Sequence, residues 1–264
     1  MKKLILGVNE ISNEDYHGDR EFESSSSLKL FLFDPKSYYK KYVLQEKEHD
    51  KEKTAFIFGS YIHSCILEPA KTTSEFVVYE GAKRYGKKYE KFKEENPKKQ
   101  ILTELEAAKA DWMIEKFANH SVAPNLIANG EAEQTLCVEI DGIRIKVRAD
   151  YVTDGAIHDI KTTYSGLDKE NVLTTILKYN YDLSAALYVD AFEQWTNKEH
   201  DFNFIFMNKK DGEIEVYRAS EELLQNGRRK YKKAIKNLIK ARKSGIYYRE
   251  GIQEITIPPH LEFE

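Results

Sequence analysis

The amino-acid sequence predicts an α/β protein, and three observations carry that prediction. Residues Glu133 to Thr163, EQTLCVEIDGIRIKVRADYVTDGAIHDIKTT, read as three short strands, because Asp141-Gly142 and Asp154-Gly155 are the residue pairs of two-residue type I′ hairpins. Residues Asp201 to Arg218 form a further hairpin around Asp211-Gly212, with a first strand apolar on both faces, as in a central, doubly covered strand. Around these strands, apolar residues recur at spacings of three and four, the period of amphipathic helices.

Taken in order, the opening MKKLILGV imitates an export signal, but its apolar run stops at Asn9-Glu10, short of the about 7 to 15 residues such a core needs. Ser24 to Ser27 then lead into LKLFLFDPKSYYKKYVL. Serine is a good helix cap, Leu28, Phe31 and Leu32 fall at helical spacing, and Asp34-Pro35 ends one helix and starts another with proline first. In Tyr38-Tyr39-Lys40-Lys41-Tyr42, aromatic and basic side chains interleave as they would to hold nucleic acid, although lysines snorkelling over tyrosines on an amphipathic helix are the simpler reading.

From Phe56 to Ala70 runs a helix with Gly59-Ser60 near its start and Glu68-Pro69 near its end. His63 shares a side with Leu67, and on these residues alone it reads as core. Lys83 to Lys99 carries eight lysines and arginines against three glutamates, either an arm over a substrate groove or plain solvated surface. Leu102 to Phe117 is a helix with Thr103 as N-cap and Glu106 completing a capping box. Leu173 to Trp195 contains a long helix, YDLSAALYVDAFEQW, in which Tyr181, Ser184 and Tyr188 mark one stripe. The last helix begins near Ser220 and ends at Gly245. Between Arg228 and Lys243 it carries nine basic residues and no acidic one, a face for phosphates or an ordinary polar face.

At 264 residues, 41% hydrophobic and 32% charged, the chain can bury a real core, and disorder is not indicated. Without an internal repeat or clear linker it reads as one domain over residues 1–264. A net charge near −3 excludes a general polycation, so any nucleic-acid affinity comes from local patches. Cys65 and Cys137 have no zinc or disulfide spacing, which suits a reducing, cytoplasmic setting, and no stretch is apolar enough to span a membrane.

The two turns also set a register. Around Asp154-Gly155, Thr153 pairs with Ala156 and Asp150 stands opposite Asp159. Around Asp141-Gly142, Ile140 meets Ile143 and Glu133 stands opposite Asp150. Three carboxylates thus line one row, where directly opposed like charges destabilise a sheet. Lys161 projects from the same polar face. A hard cation held by carboxylate oxygens beside a lysine is a magnesium site for phosphoryl chemistry. A solvated face of mixed charge is the alternative, and the site is favoured because two independent turns align the acids.

A Glu, then an Asp ahead of Asp-x-Lys, on a helix–sheet core resembles the PD-(D/E)XK nuclease superfamily. In order, SSSSLKLFLFDP, FGSYIHSCILEP, RYGKKYEKFKEENPKKQILTELE, KVRADYV, HDIKTT and YDLSAALYVDAF resemble the RecE-type (exonuclease VIII-like) phage and prophage exonucleases over roughly residues 24 to 210. The resemblance implies a restriction-endonuclease-like core, a mixed sheet flanked by helices, and magnesium-dependent 5′-to-3′ degradation of linear duplex DNA. It also implies manganese as a substitute, a ring of subunits, double-stranded DNA ends as substrate and a single-strand annealing recombinase as partner. His63 matches the family's helical histidine, which raises it from core to ligand, Glu133 its first acid, Asp150 the metal-bridging aspartate, and Asp159 and Lys161 the D-x-K pair. The backbone carbonyl of Ile160 joins the metal set. Glu68 matches a family position, but continued helix would turn it away from His63, so its role stays open.

Two residues depart from the family pattern. Ala149 replaces the proline before the central aspartate, and Ser184 replaces the glutamine of a Q-x-x-x-Y motif whose tyrosine is Tyr188. A serine reaches less far, so a hydrogen bond orienting Lys161 or a phosphate must be remade or lost. The other readings are an endonuclease or single-strand nuclease on the same core, and a DNA-binding recombination module with a weakened site.

Overall fold

The structure, a computed structural model, describes residues 2–46 and 54–252. In chain order the elements are β1 (Gly7–Asn9), α1 (Asn13–Gly18), α2 (Ser25–Phe33), α3 (Pro35–Tyr38), a π-helical turn (Tyr39–Val43), α4 (Thr54–Leu67), α5 (Pro69–Glu75), β2 (Phe76–Tyr79), α6 (Lys87–Glu95), β3 (Gln100–Thr103), α7 (Glu104–Ala118) and α8 (Ala123–Leu126). There follow β4 (Glu131–Ile140), β5 (Ile143–Thr153), β6 (Ala156–Thr163), α9 (Lys169–Lys178), α10 (Tyr181–Thr196), β7 (Asp201–Asn208), β8 (Ile214–Arg218) and α11 (Glu221–Ser244).

A mixed sheet of order β1-β4-β5-β6-β7-β8 organises the molecule, antiparallel throughout except for the parallel β6–β7 pair. That one pair needs a crossover, which α9 and α10 supply. β7 is interior and covered on both faces. Phe202, Phe204 and Phe206 join the core under α2, α10 and α11, while Ile205 and Met207 join the core under α4 and α7. A separate parallel pair, β2–β3, was not foreseen. No helix among the described residues is long and apolar enough to cross a membrane.

Local chemistry explains the helix ends. Ser24 caps α2 and, with Ser27, closes a capping box, while Asp34 caps α3 with Pro35 in first position. Thr103 and Glu106 form the expected box at α7, and Ser220 and Gly245 bound α11. Two expectations need correction. α4 begins at Thr54, so Gly59 and Ser60 lie mid-helix. The Asp141-Gly142 turn has positive φ at both residues, 50° and 76°, as type I′ requires, but at Asp154-Gly155 only the glycine does, at 82°. An aspartate enters the left-handed region only at a cost, and Asp154 avoids it.

The basic segments are tied in more than their composition suggested. Within Lys83 to Lys99, Tyr89 is buried and Arg84 bonds Glu106 across 2.6 Å. On α11, Arg228 pairs with Asp190, Lys230 with Asp182, and Arg242 with the buried Glu23, so three of its nine basic residues hold the fold together. α10 and α11 approach so closely that a Cβ on Gly227 would lie 2.0 Å from the Asp182 carbonyl oxygen.

Candidate active site

β4 and β5 pair as the turn counting required, with Gln134 opposite Ala149 and Ala132 opposite Tyr151. Equal numbers of residues lie between those pairs, so Glu133 and Asp150 share a level with no inserted residue. Glu133 itself has φ of 51°, which interrupts the ladder there and strains a residue with a full side chain. β5 and β6 pair from Thr153↔Ala156 to Tyr151↔His158, where the ladder stops. Beyond it, Asp150 Oδ2 accepts the backbone N–H of Ile160 at 2.8 Å. A side chain thus takes the place of a backbone acceptor in mid-sheet.

His63, from α4, closes one side. Its Nδ1 is 3.4 Å from Asp150 Oδ2 and its Nε2 is 2.8 Å from the Ile160 carbonyl oxygen. His63, Glu133 and Asp150 offer ligand atoms that all lie within 4.8 Å of one another. Two carboxylates, an imidazole and an adjacent main-chain carbonyl fit a hard divalent cation such as Mg²⁺ or Mn²⁺. Burial, and after it the Asp150 charge, pushes Glu133 up to about 8, and Glu68 adds to the shift. A cation among these groups would offset that repulsion.

A sign follows for metal binding. Glu133 must lose its proton to act as a ligand, so affinity rises with pH up to about 8 and levels off above it. Calorimetric titration of Mn²⁺ between pH 6 and 9 should show about a tenfold gain per unit at the acid end, the limit for one released proton. A flat profile would remove Glu133 from the ligand set.

Asp159 stands outside the three-residue group. Its Oδ2 is 2.6 Å from Lys161 Nζ, which lies 4.0 Å from Asp150 Oδ2. Burial raises the Asp159 carboxyl, Lys161 opposes that, and Asp150 reinforces it. For Lys161, burial disfavours the ammonium, but Asp159 and Asp150 outweigh it and hold its pKa above the usual value. Its ammonium also sits 5.4 Å from the centre of the Tyr181 ring.

On α10, burial followed by the Asp159 charge pushes Tyr188 up to about 12, with a hydrogen bond to Ser25 opposing. Tyr188 thus lies close enough to Asp159 and Asp150 to feel their charge. Ser184 is half-buried one turn away. In its place, Asp159 and the Tyr181 ring hold Lys161. Glu68 departs from the helical geometry expected of it, because α4 ends at Leu67 and Glu68 becomes the N-cap of α5. Its charge, paired with Lys71, reaches Glu133. Sequence reading missed Tyr181 as a partner of Lys161, and it missed Lys29 of α2, whose ammonium is 5.4 Å from the same ring. The available signal was Lys29's isolation, the one charged residue in SSSLKLFLF.

A strand-borne Asp-x-Lys beside an aspartate that splits two central strands is the arrangement against which known proteins can be compared. The family described as "PDDEXK-like domain of unknown function (DUF3799)" matches residues 24–246. The chain belongs to that family. Among solved structures, the "Putative exonuclease" from Eubacterium rectale superposes on this PDDEXK-like chain with a TM-score of 0.67 at 18% identity, over 94% of this chain and 97% of that one. At that identity the likeness is one of fold. The structure of SSO0001 matches at a TM-score of 0.29 and 14% identity, over 80% of this chain and 84% of that one, too loosely to carry an argument. No curated protein matches the sequence.

Proposed function

We propose that this chain is a metal-dependent deoxyribonuclease that degrades linear double-stranded DNA from its 5′ ends, leaving 3′ single strands. The observation that carries the nuclease reading is the joining of His63, Glu133 and Asp150 to the Asp159–Lys161 pair within a PDDEXK-like fold. The polarity, the assembly into a ring and a single-strand annealing protein as consumer of the product rest on the resemblance to RecE-type exonucleases.

His63, Glu133 and Asp150, with the Ile160 carbonyl beside them, would hold the cation. When bound, it would activate water and neutralise charge on the scissile phosphate. Lys161, kept charged by its two carboxylates, stabilises negative charge developing on that phosphate, and Asp159 fixes the direction in which the ammonium points. His63 donates its Nε2–H to the Ile160 carbonyl, which leaves Nδ1, on the side of Asp150, as the ring nitrogen that can ligate. The reading of a weakened DNA-binding module rested on Ser184, and it loses force because Lys161 is positioned without a glutamine.

Linear and closed circular duplexes, each with and without Mg²⁺, provide the test. Digestion of the linear form alone, and only with Mg²⁺, is the expected result. Cutting of the circle would replace the exonuclease with an endonuclease, and DNA binding without hydrolysis in any divalent metal would overturn the enzyme reading.

A further inference from the structure

Lys29 lies on α2, far in sequence from the Asp-x-Lys strand, yet its ammonium and that of Lys161 each sit 5.4 Å from the centre of the Tyr181 ring. The carboxylates near it are already engaged. Asp159 is 2.6 Å from Lys161, and Asp182, fully buried, is 2.8 Å from Lys230 and receives the Asn226 amide as well. Among the described residues no carboxylate comes within ion-pair range of Lys29. Its ammonium rests on the Tyr181 ring, a weak counterpart for a desolvated charge. Burial, and then the charge of Lys161, bring its pKa down to about 8, so this placement costs free energy in the absence of an anion.

A half-buried cation placed against a second cation, with the nearby acids among the described residues occupied, offers a place for a negative partner from a ligand. Its neighbours on the ring define the place. Lys161 faces the candidate metal ligands, and Lys29 extends the positive charge from there along α2. We propose that Lys29 binds a non-bridging oxygen of a DNA phosphate next to the one positioned by Lys161, with the Tyr181 ring holding both ammoniums in register. This rests on the nuclease reading for the identity of the ligand, whereas the unpaired cation itself does not. Lys29 is thereby a substrate-binding residue, and its charge is the part that matters.

Lys29→Met keeps the aliphatic stem on Tyr181 and removes the charge, while Lys29→Arg keeps the charge. Equilibrium binding of linear duplex is measured in Ca²⁺ over a range of salt, and steady-state digestion in Mg²⁺. Lys29→Met should weaken binding about tenfold and reduce the slope of log affinity against log salt by about one, the loss of a single phosphate contact. In digestion the effect should fall on KM more than on kcat, and Lys29→Arg should restore binding and slope. Ends bearing a 5′-phosphate or a 5′-hydroxyl separate the two sources of phosphate. Equal losses on both assign an internal phosphate, and a loss confined to phosphorylated ends assigns the terminal one. An unchanged salt slope in Lys29→Met overturns the proposal, as does an arginine variant that behaves like the methionine one. A wild-type protein that binds but does not cut removes the nuclease reading alone, while one that does not bind DNA overturns both.

Discussion

Asp150→Asn lowers the rate of Mg²⁺-dependent digestion of linear duplex by on the order of 10³-fold or more, with the melting temperature unchanged or raised. The two halves of this expectation come from two roles of one carboxylate. As a charge, Asp150 is a member of the His63–Glu133–Asp150 group and one of the two acids that keep Lys161 protonated. As an acceptor, its Oδ2 satisfies the Ile160 N–H. Asparagine retains a carbonyl oxygen for that N–H, and relief of the repulsion on Glu133 offsets the attraction to His63 and Lys161 that is lost. Alanine loses both roles, and an unpaired buried N–H costs about 1–3 kcal/mol. Activity measured beside thermal melts separates the two variants, and wild-type digestion by Asp150→Asn would discard the site.

Gly227→Ala destabilises the protein by about 3 kcal/mol, which lowers the melting temperature of a chain this size by roughly 6 to 12 °C. In an ordinary helix the same change stabilises by about 1 kcal/mol. Here the new methyl group meets backbone, 2.0 Å from the Asp182 carbonyl oxygen and 2.8 Å from Ala186 Cβ. α10 and α11 would have to part, loosening the Asp182–Lys230 and Asp190–Arg228 pairs that join them. Because α10 also carries Tyr181 and Tyr188, activity should fall together with stability. A melting temperature at or above that of the wild type would show that the helices yield without loss.

Much of this architecture was legible because it is written locally. Asp141-Gly142 and Asp154-Gly155 set the register of β4, β5 and β6, although the second turn reaches that register with one left-handed residue rather than two. Thr103 and Glu106, Ser220 and Gly245 marked their helix ends as chemistry requires. The acids were legible for the same reason, since strand pairing turns a sequence offset into a spatial one.

What was not legible depends on tertiary contact. Nothing in GEAEQT announces that Glu133 adopts φ of 51°, and nothing in RADYV says that β5 leaves β6 at Asp150. The register of β5 on β6 was read as far as Tyr151 opposite His158, and the commitment of Asp159 to Lys161 depends on burial that strand counting does not supply. The basic face of α11 left two readings open, and the structural share of it was hidden because the partners of Arg228 and Arg242 are Asp190 and Glu23, distant in sequence. Lys29 went unnoticed because its meaning lies in the acids around it being taken.

The backbone at Glu133 bears on how this chain tolerates change. A non-glycine residue in the left-handed region is held against its own preference by about 1 kcal/mol or more, and its half-buried carboxylate faces another. A mutation to glycine at this position relaxes both at once, so the substitution most favoured by stability is also the one that discards a ligand. Where the proposed reaction exerts no constraint, drift would erode the site from Glu133 outward, which makes this position the most sensitive to its loss.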